Sequence, residues 1–442
     1  MSLHRRHLLS GLASSGLAAS GLVASGLAAC SARPKASTGK KVSLRMSWWG
    51  GSSAHKATLS ALKIFMQRYP HIEVTGEYTG FIGHLERLTT QIAGHTAPDL
   101  MQINWYWQIL FSRDGTGFYD LDRLSHIIDL SQFDPRTLDM GRRGGHLNAL
   151  SLSNAARLFY FNRTTFDQAG LSLPASWDDL LTAGPKLQAK LGDAYYAMDA
   201  TFQDFTALGR SYIVQKTGKA MVDDVHKRLN CTPDDMAEMA WLYGRMTGNH
   251  GLPSARYRAS FGNVAQQELR PWINGQFAGC YLWNSSIDKF TDTLAHGEKL
   301  KLAPYPLRPG ATDAGLLYRP SMMFAINSRT KYPEETALLL NFLMNDPAGV
   351  RAMGLVRGIP DSRIGRATLA ADGTITGLKA DSEVELAKLP ITVTESPWFE
   401  HPRVRDGFQD ILEMQGYGVL SEKEAGQRLY DDINAILARV IR

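Results

Sequence analysis

The chain has 442 residues, of which 44% are hydrophobic and 21% charged, and its formal net charge is +5. These are the proportions of a folded, water-soluble protein long enough for two domains. So mild a charge, with no long basic run, argues against a nucleic-acid partner.

Arg5 and Arg6 precede Leu8 and Leu9, and a weakly apolar stretch of Leu, Ala, Gly and Ser runs on to Ala29. A basic start, an apolar middle and a small-residue end make residues 1–29 an export signal. The paired arginines resemble a twin-arginine signal. A membrane-spanning helix would need about 20 strongly apolar residues, and the repeated Gly-Leu steps are too weakly apolar for that. Leu27-Ala28-Ala29-Cys30 looks like a bacterial lipobox, which makes Cys30 the lipid attachment point. Residues 30–41 have no apolar periodicity and read as a solvated tether.

Val42 to Trp48 alternates apolar and polar residues, the period of a strand, and Trp49-Gly50-Gly51 then breaks it. From Ala54 the period is helical, with Leu62, Phe65, Met66 and Tyr69 on one face and Pro70 as the stop. His71 to Tyr78 reads as a strand, Phe81 to Ala93 as a helix and Asp99 to Ile103 as a third strand. Further strands fall at 155–161, 302–304 and 322–326, and further helices at 176–191, 334–344 and 422–440. Strands alternating with helices predict βαβ units, hence two α/β lobes with mainly parallel sheets. Cys231 and Cys280 read as two separate buried thiols, with a disulfide as the alternative.

Several segments, in order, resemble the family 1 extracellular solute-binding proteins of ABC importers. They are Trp48-Trp49-Gly50-Gly51, Gln91-Ile92-Ala93-Gly94-His95-Thr96-Ala97-Pro98-Asp99-Leu100, Arg157-Leu158-Phe159-Tyr160-Phe161-Asn162, Pro174-Ala175-Ser176-Trp177-Asp178-Asp179-Leu180, Ile273-Asn274-Gly275-Gln276-Phe277-Ala278-Gly279 and Arg357-Gly358-Ile359-Pro360. His95 departs from the family pattern, where glycine is usual. Within the family, Trp48-Trp49-Gly50-Gly51, the 84–91 segment and Phe118-Tyr119-Asp120-Leu121 look most like the oligogalacturonide-binding proteins of pectin uptake systems. The resemblance implies a two-lobed periplasmic binding protein fold (type II-like) that closes on its ligand like a hinge. It implies residues 42–153 and 321–375 as one lobe and 154–320 and 376–442 as the other. It also implies an oligosaccharide ligand, membrane permease subunits as partners, a monomer in the periplasm, and neither cofactor nor metal.

Ligands of open α/β sheets sit at strand ends, so aromatic residues there are candidate sugar platforms. Trp48 and Trp49 alternate faces, one toward the core and one toward ligand, with Trp49 the outer residue. Gly50, Gly51 and His55 follow them. Asn104, Trp105 and Trp107 follow the third strand, and Tyr281, Trp283 and Asn284 form a similar cluster in the second lobe. A uronate would need guanidinium forks. Candidates are Arg157 and Arg210, Arg319 with its neighbours Tyr318 and Ser321, and Arg357, which either meets ligand or braces its own turn. The chain is thus expected to capture an acidic, galacturonate-type oligosaccharide. The alternatives are a neutral oligosaccharide and a secreted pectin-degrading lyase or hydrolase. For an enzyme, Asp99 is the tempting acid, though after Pro98 it more simply fixes a turn, and no catalytic motif is present.

Overall fold

A computed structural model describes residues 41–81 and 83–441; the predicted export signal and Cys30 lie outside them. Strand β1 (Val42–Trp49) buries alternate residues, as its sequence period requires, and leads into α1 (Ser52–Arg68). β2 (Ile72–Thr79), α2 (His84–Ala93) and β3 (Leu100–Ile103) complete the first βαβ units. β1 pairs in parallel with both β2 and β3. Asp99 accepts hydrogen bonds from the Arg45 amide at 2.8 Å and the Thr330 hydroxyl at 2.6 Å, so it ties the turn before β3 to its neighbours.

The long strand β4 (Leu150–Asn162) carries the chain from one lobe into the other. Its second half pairs antiparallel with β5 (Gly279–Trp283) and β6 (Leu300–Leu302). Its first half pairs antiparallel with β7 (Tyr318–Ile326), which in turn pairs with β3. The sheet order is β6-β4-β7-β3-β1-β2, with β5 also on β4. Pairing is therefore mixed. It is parallel where βαβ crossovers build the first lobe, and antiparallel where the crossing strands run through the middle. Isolated parallel bridges, Tyr196 to Phe277 and Asp199 to Cys280, extend the second lobe's sheet.

Buried apolar side chains divide at these crossings. Residues between 42 and 152 join residues between 323 and 353 in two clusters. Residues between 156 and 317, with those between 398 and 441 and Ile109, form a third. Around the second core pack α3 (Trp177–Leu191), α4 (Phe202–Thr217), α5 (Pro233–Gly248), α6 (Pro402–Gly416) and α7 (Glu422–Val440). Two neighbouring lobes joined by strands leave a cleft along the join, and β4 and β7 form its floor. No described helix is long and apolar enough to cross a membrane.

Candidate functional site

A cavity of about 280 Å³ lies where the two lobes meet. From the first lobe it is lined by Phe81, Asn104 and Tyr106, which follow β2 and β3. From the crossing strands and second lobe come Arg157, Trp283 and Arg319, with Gln203, Thr206, Phe399, Glu400 and Arg405.

Strand register brings the central trio together. Arg157 in β4 stands opposite Trp283 in β5, and Arg319 in β7 stands opposite Ala155, two residues before Arg157. Residues two apart share a face of the sheet, so the two arginines and the indole converge. The Arg319 guanidinium lies 4.4 Å from the Trp283 ring centroid and that of Arg157 4.9 Å, both within cation–π range.

Each arginine is held by a carboxylate on one side only. A capping box starts α4: Thr201 donates its amide and hydroxyl to Asp204 Oδ2, at 3.0 and 2.7 Å. The cap leaves Asp204 Oδ1 to accept from Arg157 Nη1 at 2.6 Å, and Nη1 also donates to the Tyr281 carbonyl at 2.9 Å. Arg157 Nε is buried without a partner. Arg319 Nε donates to Glu400 Oε1 at 2.6 Å and its Nη1 to the Pro320 carbonyl at 2.8 Å. Arg405 donates to Gln203 Oε1 at 2.6 Å and forms no ion pair with a described residue. Three guanidiniums thus face two carboxylates, leaving positive charge in excess. Unengaged fork nitrogens beside an aromatic face suit a sugar ring that carries a carboxylate.

Of the residues singled out from sequence, Asn104, Arg157, Trp283 and Arg319 line this cavity. Trp49 is half-buried behind Phe81, with ring centroids 5.7 Å apart. Trp48 is fully buried, stacked on Tyr78 at 5.1 Å and donating to His55 Nδ1 at 3.1 Å, so Trp48 and His55 brace the strand end. Gly50 serves the packing of α1, since a Cβ there would meet Ala54 Cβ at 2.7 Å, while Gly51 is exposed to open space.

Trp105 and Trp107 point into the first lobe's core, contrary to the expectation that they form a sugar platform. They belong to a single 3₁₀ turn that Asn104 caps by accepting from the Tyr106 amide at 3.3 Å. That cap directs Asn104 and Tyr106 to the cleft and both indoles inward, where Trp105 Nε1 donates to the Met140 carbonyl at 3.2 Å. Tyr281 is buried, its hydroxyl 2.9 Å from that of Tyr305, and Asn284 is committed to the Ala156 amide at 3.2 Å.

Arg210 sits in the second lobe's core, paired with Glu395 at 2.6 Å and with the Gly315 carbonyl at 2.7 Å, so it is out of reach of the cleft. Arg357 is buried between α1 and β3, donating to Gln102 at 3.0 Å and Thr58 at 2.9 Å. Burial pulls its guanidinium down to about 10. Its carbonyl accepts from the Ser153 hydroxyl, and Ser321 donates to the Ser153 carbonyl at 2.9 Å, so Arg357 and Ser321 clamp the crossing strands. Tyr318 lies on the opposite face of β7 from Arg319, beneath the Arg136 guanidinium at 5.0 Å.

Tyr106, one of the three aromatics that follow the third strand in the sequence, also lines the cavity, while Phe81, Gln203, Thr206, Phe399, Glu400 and Arg405 were not expected there. The Pro397-Trp398-Phe399-Glu400-His401 run was the available signal, two aromatics and an acid between prolines. Cys231 and Cys280 are free thiols; burial pushes Cys231 up to about 12 and Cys280 well above its ordinary value. No group of three potential metal ligands is assembled among the described residues.

Residues 48–350 match the family described as bacterial extracellular solute-binding protein. The fold aligns with a periplasmic oligogalacturonide-binding protein of Yersinia enterocolitica at TM-score 0.84 and 44% identity, over 91% of this chain and 100% of that one. Against that protein's complex with saturated digalacturonic acid the TM-score is 0.81, at the same identity and coverage. A de novo designed cysteine esterase aligns at TM-score 0.88 and 43% identity, over 92% of this chain and 100% of the design. Brucella abortus and Brucella suis proteins named only as binding proteins are 30% identical over 139 residues, 30% of this chain. The match spans 32% of the length of those curated relatives.

Proposed function

The chain belongs to the family of bacterial extracellular solute-binding proteins, and from that premise we propose that it captures an acidic, galacturonate-type oligosaccharide and delivers it to an ABC importer. The observation that carries this reading is the pair of guanidiniums on the Trp283 ring, with Arg405 as a third cation in the same cavity. The indole takes a sugar face, and the free fork nitrogens take a carboxylate by charge-assisted hydrogen bonds. Closure of the lobes excludes water and strengthens those bonds. The 44% identity to an oligogalacturonide-binding protein supports the same ligand class.

The lobes are 42–153 with 321–375 and 154–320 with 376–442, and they move about the crossing strands β4 and β7. The protein acts as a monomer in the periplasm, held to a membrane by lipid on Cys30. Replacing Cys30 with Ala tests the anchor: the protein should move from the membrane to the soluble fraction, and retention on the membrane would refute it.

Binding rather than catalysis is the activity. A cysteine nucleophile works as the thiolate, and both described thiols are held protonated by burial. A neutral oligosaccharide is the second reading, favoured by the neutralisation of Arg157 by Asp204 and of Arg319 by Glu400. Titration of tryptophan fluorescence with digalacturonate separates the readings. Saturable change without product, weakened in Arg319→Gln, supports the acidic ligand; equal affinity in the variant refutes the cationic site, and turnover refutes the binder.

A further inference from the structure

A second and larger cavity, about 460 Å³, opens in the second lobe beyond the cleft. One face of α6 joins the two. Arg405 lines the cleft, while Gln409, Glu413 and Tyr417, each four residues further on, line the second cavity. Residues four apart stack on one helix face, about 6 Å per step, so these side chains form a ladder leading out of the cleft. Gln203 bridges its first two rungs, accepting from Arg405 Nη2 at 2.6 Å and donating to Gln409 Oε1 at 3.4 Å.

The far cavity carries sugar-binding chemistry of its own. Tyr243 and Tyr417 contribute aromatic surface, and Gln409 and Asn263 contribute amides. Arg258 lines it with Nε donating to the buried Asp199 carboxylate at 3.1 Å, while its two terminal nitrogens have no hydrogen-bond partner among the described residues. Glu413 also lines it and makes no side-chain hydrogen bond to a described residue. Glu413 as an acceptor of hydroxyls and the two unengaged terminal nitrogens of the ion-paired Arg258 give the same cavity an acceptor wall and a donor wall for a uronate ring. The volume is that of an ordinary ligand pocket.

We propose that this cavity is a distal subsite for the extra residues of galacturonate oligomers longer than two, which run from the cleft over Gln203 and place a distal carboxylate on Arg258. The proposal rests on the acidic-oligosaccharide reading and goes beyond it in assigning a chain-length preference to a second pocket.

Calorimetry with di-, tri- and tetragalacturonate tests it on the wild-type chain and on Ala259→Trp. Ala259 is exposed and lines only the far cavity, so the indole fills that space without touching the cleft. The wild type should bind the tetramer at least about tenfold more tightly than the dimer. Ala259→Trp should lose that gain and keep the dimer affinity. Tyr417→Ala, at another exposed position, should reduce the gain by a separate route. Equal wild-type affinity for dimer and tetramer, or a gain that survives in Ala259→Trp, overturns the distal subsite. Failure of every galacturonide to bind overturns the underlying functional reading instead.

Discussion

Arg319 Nε stands 2.6 Å from Glu400 Oε1 inside the cleft, so a carboxylate of the protein already holds part of the fork that a ligand carboxylate would claim. Both side chains are only 12% exposed, so the pair is weakly screened by solvent. In Glu400→Gln the negative charge is gone but an acceptor remains. Digalacturonate affinity should rise by about 1 kcal/mol, roughly fivefold, while stability to denaturant falls by about 2 kcal/mol. Paired calorimetry and urea melts measure the two; weaker binding of the acid would mean that Glu400 positions Arg319 rather than competing for it.

Trp283 receives two guanidiniums on one ring. Its replacement by Ala removes the flat face for sugar and the surface that aligns both cations. Affinity should fall by about 2 kcal/mol, roughly thirtyfold, with most of the ligand-induced fluorescence change lost. Trp49→Ala should cost less, because Phe81 lines the cavity and Trp49 packs against it without lining the cavity itself.

The alternation that marks β1 was readable because that strand buries one face more deeply than the other, and the end of α1 was readable from Pro70. The mixed pairing was not, because the partners of β4 are set by residues more than a hundred positions away in β5, β6 and β7. The site divided in the same way. Arg157 and Arg319 were legible as cations on crossing strands. Arg405 was not, since an arginine on an amphipathic helix reads as a surface residue until the loop before it is known to pack across the cleft. The Asn104–Trp107 run misled because a single 3₁₀ turn has too few residues for a period to reveal which side chains face inward.

Arg210 offers a contrast, being an arginine that belongs to the core. With Glu395 1% exposed and bonded also to the amides of Met221 and Val222, Arg210→Met leaves a buried carboxylate short of its cation. Stability should drop by about 3 kcal/mol, with digalacturonate affinity of the folded fraction within about twofold of wild type. A large loss of affinity without loss of stability would return Arg210 to the site.

Asp361 lies behind the crossing strands, where its carboxylate accepts from the Asn154 amide, and it is surrounded by Arg366, Glu383, Asp134, Arg136 and Tyr318. Burial pushes its carboxyl up to about 7, against a smaller opposing pull from Arg366 at 3.9 Å. Between the ordinary 3.8 and about 7 the folded state keeps a proton that the unfolded state releases, so stability falls as pH rises through that window. The slope for one such proton is at most about 1.4 kcal/mol per pH unit. Urea melts from pH 4 to pH 8 should show this decline in the wild type and a flatter profile in Asp361→Asn; parallel profiles would remove Asp361 as the source.

On the proposed function, the cations around Trp283 select an acidic sugar. Calorimetry of the purified protein with digalacturonate and with the neutral galactose disaccharide of the same linkage, each at low and high salt, tests it most directly. Saturable binding of the acid that weakens as salt rises, with the neutral sugar at least about tenfold weaker, is the predicted result. Equal affinity for the two sugars, or binding of the acid that ignores salt, would contradict it.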